Sequence, residues 1–133
     1  MLLLTTLAAP AMFVEPPRLR NLPRTAGPTI NTSTGPLACT TDAAGVLACE
    51  GVPYAAAPVG DLRWRAPAAH AAWSTPLDAT APGKCCTAAE DCLTLQVYRP
   101  ANTSAVLPIM LWIHGGAYVT GCGSLYDLSL IHI

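Results

Sequence analysis

One apolar run that ends in two glycines constrains the fold of this chain more than any other feature. Residues 107–118 read Leu-Pro-Ile-Met-Leu-Trp-Ile-His-Gly-Gly-Ala-Tyr. Ile109–Ile113 is far shorter than the ~20 residues of a membrane span, but it suits a central strand that is buried on both faces of a parallel sheet. Gly115 and Gly116 let the chain turn so that backbone N–H groups point into a cavity, as in anion sites. Taken alone, the run is better explained by an ordinary glycine turn, so other motifs must decide.

Length and composition exclude several functional classes. The 133 residues suffice for one small domain with a hydrophobic core, but ordinary hydrolases have roughly 200 or more. The net charge is -1 and no basic stripe is present, so nothing predicts nucleic-acid binding. The six cysteines lack paired C-x-x-C spacing and the three histidines are scattered, so we expect neither a metal nor another cofactor. No run is long enough to predict a membrane span.

Three features favour a secreted or extracellular protein. The cysteine count is even, which suits disulfides and an oxidising compartment. Asn31-Thr-Ser and Asn102-Thr-Ser are N-glycosylation sequons. Residues 1–11 resemble the apolar region and Ala-x-Ala cleavage site of a signal peptide, although no lysine or arginine precedes them. The alternative for this segment is a remnant of an upstream reading frame or a shortened leader.

The next stretch predicts a leader followed by a hairpin. Residues 1–36 are expected to form a leader and a proline-rich segment that is extended or disordered. Residues 37–50 predict two short strands around the turn-forming residues 42–45. Cys39 and Cys49 flank that turn at matched positions, where they form either a cross-strand disulfide or two buried thiols.

Three sequence blocks then stand in order along the chain. They are Gly51-Val-Pro-Tyr with Pro58-Val-Gly-Asp-Leu-Arg-Trp-Arg, then Glu90-Asp-Cys-Leu-Thr-Leu, then Leu-Trp-Ile-His-Gly-Gly-Ala-Tyr118. The second block begins a predicted strand that ends near Tyr98, with Leu93, Leu95 and Val97 on one face.

Together the three blocks resemble the amino-terminal part of the type-B carboxylesterases, the α/β-hydrolase family that includes cholinesterases and many secreted lipases. The resemblance covers residues 37–127, which we expect to be one domain. It implies an α/β fold, namely the N-terminal portion of an α/β-hydrolase with a mostly parallel central sheet and an N-terminal β-hairpin, truncated. Gln96 departs mildly from the family, which usually has a small polar residue there.

The resemblance also implies a role for the glycine turn. Gly116 and Ala117 occupy the positions from which the family supplies two backbone N–H donors to its oxyanion hole. His114 precedes them as a structural residue and not as the catalytic base.

Further residues match structural features of the family. Cys92 corresponds to a cysteine that the family joins by a disulfide to one upstream, here Cys86 or Cys85. Arg63 and Glu90 occupy positions where the family forms an ion pair between the first and second blocks.

The catalytic triad has no counterpart in this sequence. No Gly-x-Ser-x-Gly occurs, and Ser124 follows Gly123 without the other glycine that the motif requires. In the family, the nucleophilic serine, the acid and the histidine all come later in the chain. Residues 128–133 depart from the family pattern and are expected to be a non-native tail, so His132 is expected to have no role.

The resemblance therefore implies a fragment of a serine carboxylic-ester hydrolase, whose partner is a small-molecule ester. The fragment would supply the oxyanion-hole loop and be inactive by itself. A first alternative is a catalytically inactive, cholinesterase-like adhesion or scaffold protein, because a fold does not determine a function. A second alternative is a small autonomous disulfide module.

Overall fold

The computed structural model describes residues 22–126 and residue 128. The predicted signal sequence and His132 lie outside the described residues, as does nearly all of the predicted tail. Five strands form one sheet: β1 (Arg24–Asn31), β2 (Pro36–Asp42), β3 (Val46–Pro53), β4 (Leu77–Asp78) and β5 (Thr94–Pro100). Helical structure in the described part consists of two 3-10 turns, Gly60–Leu62 and Gly123–Leu125, and no helix there could span a bilayer.

The sheet is antiparallel apart from one short pairing. Its strand order is β1-β2-β3-β5, and each of these neighbouring pairs is antiparallel. β4 pairs with β2 in parallel through only two residue pairs. The N-terminal hairpin is thus present, but the prediction of a mostly parallel sheet is wrong for the described residues.

The predicted hairpin is confirmed and has a clear local cause. The Oδ1 atom of Asp42 accepts hydrogen bonds from the N–H groups of Ala44 and Val46, both at 2.9 Å. Gly45 has a φ of 79°, a left-handed conformation that glycine adopts without a Cβ clash. A turn stabilised in this way sets the register of β2 and β3, because the turn geometry and loop length of a hairpin determine which residues pair.

The core lies against this hairpin. The buried cluster consists of Leu37, Cys39, Leu47, Cys49 and Ala79. Cys39 and Cys49 are joined by a disulfide, so the first of the two alternatives for these cysteines is the correct one.

β1 lies within the segment that was expected to be extended or disordered. It pairs with β2 from Arg24↔Asp42 to Asn31↔Pro36, and the register shifts between Ala26 and Thr29. Pro28 lies at that irregularity, and β1 is at one end of the strand order. A proline lacks the N–H that a ladder needs, but edge strands and bulges tolerate it. Proline content therefore did not prevent an extended, paired segment here.

The predicted central strand at Ile109–Ile113 is absent from the described residues. This segment has no strand assignment, and Ile109 and Leu111 are 95% and 80% exposed. A strand that is buried on both faces needs flanking strands and covering elements, and the described residues provide none around this segment.

β5 forms where the apolar alternation predicts a strand, but its predicted apolar face is the more exposed one. Leu95 and Val97 are 39% and 44% exposed, whereas Gln96 and Tyr98 on the opposite face are half-buried. The alternation therefore identifies the strand correctly without showing which face is covered.

Candidate functional site

The chain forms a tight left-handed turn directly after the apolar run. The carbonyl oxygen of Gly116 accepts hydrogen bonds from the N–H groups of Val119 and Thr120, at 3.0 and 3.1 Å. Ala117 and Tyr118 have φ values of 52° and 62°. Non-glycine residues rarely adopt positive φ, and such backbone strain is concentrated at functional sites. Two such residues in succession make this turn the most unusual backbone feature near the predicted site.

Two glycines are required for this turn to close. A Cβ on Gly116 would lie 1.8 Å from the carbonyl oxygen of Thr120, and one on Gly121 would lie 2.7 Å from that of Gly115. Both glycines also have positive φ, 137° and 92°. At both glycines, backbone atoms occupy the space that a side chain would need, so the two ends of the turn lie against each other.

The turn leaves two adjacent N–H groups available. Among the described residues, no hydrogen-bond acceptor is found for the N–H groups of Gly116 and Ala117. Gly116 is half-buried and Ala117 is exposed. Successive free N–H groups in a left-handed turn can bind an anion or a developing negative charge. The two residues that the family resemblance singles out therefore have the chemistry that this role needs.

Within the described part of the chain, neither histidine nor serine completes a nucleophile site. The Nδ1 atom of His114 lies 2.8 Å from the carbonyl oxygen of the next residue, Gly115. The Oγ atom of Ser124 lies 3.0 Å from the sulfur of Cys122. Ser124 thus contacts sulfur and not a potential general base.

The cysteines are paired throughout the described residues. Cys92 is bonded to Cys86, one of the two partners that the family resemblance implies. Cys85 is bonded to Cys122, a pairing that was not predicted from the sequence. Elimination could not have found it, because the sequence left open both the Cys39–Cys49 bridge and the partner of Cys92. In the same part of the chain, no group of three or more His, Cys, Asp and Glu residues could hold a metal ion.

The structure brings Arg63 and Glu90 together. Arg63 Nη1 lies 2.5 Å from Glu90 Oε1, and the two side chains are 49% and 53% exposed. The guanidinium of Arg63 also lies 6.0 Å from the ring centroid of Trp64, which is almost fully exposed. The pair connects the loop after β3 with the segment before β5. Because both partners are about half exposed to solvent, we expect it to contribute little to stability.

A second, buried polar cluster lies in the sheet, and no pattern in the sequence predicts it. Glu50 is only 5% exposed. Its two carboxylate oxygens accept hydrogen bonds from Arg24 at 2.5 Å and from the Tyr98 hydroxyl at 2.7 Å. Burial lowers the pKa of Arg24, but the Glu50 carboxylate and the Tyr98 hydroxyl together more than compensate, so the pKa lies above its usual value. The cluster ties β1, β3 and β5 together.

The sequence matches a known family and several characterised proteins. A profile of the Carboxylesterase family matches residues 26–132. That match begins inside β1, upstream of the predicted boundary at residue 37, and extends into the predicted tail. Para-nitrobenzyl esterase of Bacillus subtilis (strain 168) is 42% identical in an alignment of length 102 that covers 64% of this chain and 21% of that protein. Phenmedipham hydrolase of Pseudarthrobacter oxydans is 38% identical in an alignment of length 117 that covers 74% of this chain and 23% of that protein.

The fold matches solved esterase structures as well. A thermophilic PNB esterase superposes with a TM-score of 0.73 and 38% sequence identity. The match covers 80% of this chain and 25% of the esterase chain. This chain therefore spans about a quarter or less of the length of the proteins that it matches.

Proposed function

Because this chain belongs to the carboxylesterase family, we propose that it is the oxyanion-hole portion of a serine carboxylic-ester hydrolase with an α/β-hydrolase fold. Its relatives bear the names of an esterase and a hydrolase, and it covers 21% and 23% of their lengths. The remaining length would supply the nucleophile, the base and the acid. The substrate class is small-molecule carboxylic esters, and the reaction needs no cofactor.

The observation that carries the proposal is the pair of free N–H groups at Gly116 and Ala117. In ester hydrolysis by this mechanism, serine attacks the carbonyl carbon, histidine takes the serine proton, and an acid orients that histidine. The attack places a full negative charge on the carbonyl oxygen. Donors that the turn already holds in place meet that charge without reorganisation, which makes them effective in the transition state.

We also propose that the protein passes through an oxidising secretory compartment. Three disulfides among the described residues support this, since structural disulfides persist mainly in extracellular and secreted proteins. Asn31 and Asn102 are both exposed, as glycan acceptors must be. Peptide mapping of secreted material without reduction tests this, because free thiols at these cysteines would contradict it.

The isolated 133-residue chain should not hydrolyse a p-nitrobenzyl or short aryl ester above background. An oxyanion turn without a nucleophile retains little catalysis. The full-length protein should hydrolyse the same esters with saturable kinetics. A folded full-length protein without hydrolysis would favour the inactive scaffold alternative.

The role of the turn is tested in the full-length protein with variants of Ala117. Ala117→Pro deletes one donor, and we expect a loss of about 10²–10³ in kcat. Ala117→Gly keeps the N–H and suits the positive φ, so it should lose far less. Ala117→Val keeps the N–H but resists a φ of 52°, so it shows the effect of backbone strain without loss of the donor; proline, whose φ is fixed at about −65°, adds both effects.

Each variant must first be shown to fold, by near-UV circular dichroism and by binding of a substrate analogue. A folded Ala117→Pro enzyme with unchanged kcat would place the oxyanion hole elsewhere. If Ala117→Val loses as much kcat as Ala117→Pro, the loss is caused by backbone distortion and not by the missing N–H.

A further inference from the structure

Two disulfides connect the glycine turn to the sheet in series. Cys122 directly follows the last residue of the turn and is bonded to Cys85. The next residue, Cys86, is bonded to Cys92, which is buried just before β5. Covalent bonds therefore run from the turn to the sheet through two adjacent cysteines. We propose that the Cys85–Cys122 disulfide is a positioning element that holds the oxyanion donors for catalysis, an inference that rests on the proposed function.

The turn has few other connections to the rest of the molecule. Tyr118 and Val119 are fully or largely exposed, and the hydrogen bonds of Val119 and Thr120 return to Gly116 within the turn. Among the described residues, residues 115–120 form no hydrogen bond or ion pair with β1–β5. The aromatic rings of Trp112 and Tyr126, which bracket the segment, lie 5.7 Å apart. The disulfide is thus the covalent attachment of an otherwise lightly packed turn.

The other end of the disulfide is well anchored. The carbonyl oxygen of Cys85 accepts hydrogen bonds from the N–H groups of Ala88 and Ala89, at 2.9 and 3.2 Å. Beyond Cys92, the carbonyl oxygen of Leu93 accepts one from the N–H of Tyr54 at 3.1 Å. These bonds join the 85–93 segment to itself and to the chain that follows β3. A constraint on Cys122 is therefore a constraint relative to the sheet.

The need for such an attachment follows from the backbone. Ala117 and Tyr118 have positive φ, and isolated non-glycine residues favour negative φ. Their exposed side chains provide no packing that would oppose a return to negative φ. The linked Cys122 limits the path of the chain and so favours the compact turn. If the bridge is absent, a fraction of the molecules should hold the N–H groups of Gly116 and Ala117 in other orientations.

This role should affect kcat and leave KM nearly unchanged. The donors are proposed to meet a charge that is complete only after serine has attacked the ester. An interaction made mainly in the transition state changes kcat, whereas loss of ground-state binding changes KM. A disulfide with a merely structural role would lower the amount of folded enzyme without altering kcat per folded molecule.

The test compares two double variants of the full-length protein. Cys85→Ser with Cys122→Ser removes the bridge and leaves no thiol to exchange with Cys86. We expect kcat to fall about 10-fold, less than the 10²–10³ for loss of a donor, while KM stays within about twofold. Cys39→Ala with Cys49→Ala is the control, because it removes the hairpin disulfide and should leave kcat per folded molecule unchanged.

Hydrogen exchange of the same proteins provides an independent measurement. The N–H groups of Val119 and Thr120 are bonded to Gly116, so they report whether the turn is closed. We expect their exchange to be about 10-fold faster without the Cys85–Cys122 bridge and unchanged in the control. Unchanged exchange in the first double variant would overturn the positioning role.

The two proposals fail in different ways. If the wild-type protein hydrolyses esters and Ala117→Pro is impaired, but the Cys85–Cys122 double variant keeps full kcat, then only the positioning role is wrong. If the folded wild-type protein hydrolyses no ester, the proposed function is wrong. In that case, exchange of Val119 and Thr120 still decides whether the bridge holds the turn.

Discussion

The N-terminal sheet and the segment of residues 106–121 both contain large aliphatic residues, which are buried in the sheet and exposed in the segment. In the sheet, Leu37 and Leu47 are each 3% exposed. In the segment, Ile109 and Ile113 are 95% and 79% exposed. The apolar content is therefore not what separates the two regions. Burial depends on whether a partner is close along the chain or must come from elsewhere.

The sheet obtains its partners locally. A short turn brings β2 and β3 together, and their disulfide joins cysteines only 10 residues apart. Among the described residues, the later segment has no comparable hairpin partner, and the disulfide at Cys122, directly after it, joins residues 37 apart. A central strand in a parallel sheet receives its neighbours through crossover connections, each of which is long. Local antiparallel pairing therefore organises one region, whereas the described residues provide no strand partner for the other.

A pair of leucine truncations should show the contrast most strongly. Leu47→Ala removes a buried side chain from the sheet, and we expect it to lower the free energy of unfolding by about 2–4 kcal/mol. Leu111→Ala truncates a side chain that is 80% exposed, so it should change stability by less than about 0.5 kcal/mol in this chain. Urea unfolding followed by tryptophan fluorescence measures both.

The same substitutions in the full-length protein would sharpen the result. If additional strands cover residues 109–113 there, Leu111→Ala should become as costly as Leu47→Ala. If Leu111→Ala has the same small effect on stability in this chain and in the full-length protein, this segment is not part of a core in either.

The two ion pairs provide a smaller contrast. Arg24→Met leaves the Glu50 carboxylate buried and without its cationic partner, so we expect a loss of about 1.5–3 kcal/mol. Arg63→Met breaks a pair whose partners are half exposed, and its expected cost is about 0–1 kcal/mol. Methionine keeps an apolar stem in both cases, so the comparison isolates the charge. Equal costs in urea unfolding would contradict the assigned difference in burial.

The smallest effect should come from Asp78 at the edge of the sheet. Its Oδ1 atom accepts hydrogen bonds from the hydroxyl and the N–H of Thr80, at 2.6 and 3.1 Å, and these bonds lower its pKa. A lowered carboxyl pKa in the folded state means that Asp78 stabilises the fold at neutral pH. That contribution is lost as the pH falls through the folded-state pKa.

Asp78→Asn should therefore be slightly less stable than wild type at pH 7, with the difference shrinking in acid. Thr80→Val removes the hydroxyl donor and should move the pKa of Asp78 back toward its ordinary value. A pH titration of the Asp78 carboxyl by NMR measures this directly. An identical titration in the two proteins would show that the Thr80 hydroxyl has no influence on the carboxyl.

Local patterns in the sequence were sufficient for local structure. Asp42 and Gly45 have the chemistry of a tight turn, and the hairpin follows from it. The alternation around Leu95 predicted β5, and family motifs placed Cys86 or Cys85 near Cys92 and Arg63 near Glu90. Each inference depends on residues that are neighbours in the chain or on a motif with fixed spacing, and the sequence alone shows both.

Tertiary structure alone decided which residues meet across the chain. It paired a proline-containing β1 with β2, placed Arg24 and Tyr98 on the buried Glu50, and left Ile109–Ile113 exposed. It also bonded Cys85 to Cys122. The physical reason is that burial and pairing are properties of two surfaces, and a sequence pattern describes only one of them. Composition therefore marked residues 109–113 as apolar, but only the presence or absence of partners determined whether they were buried.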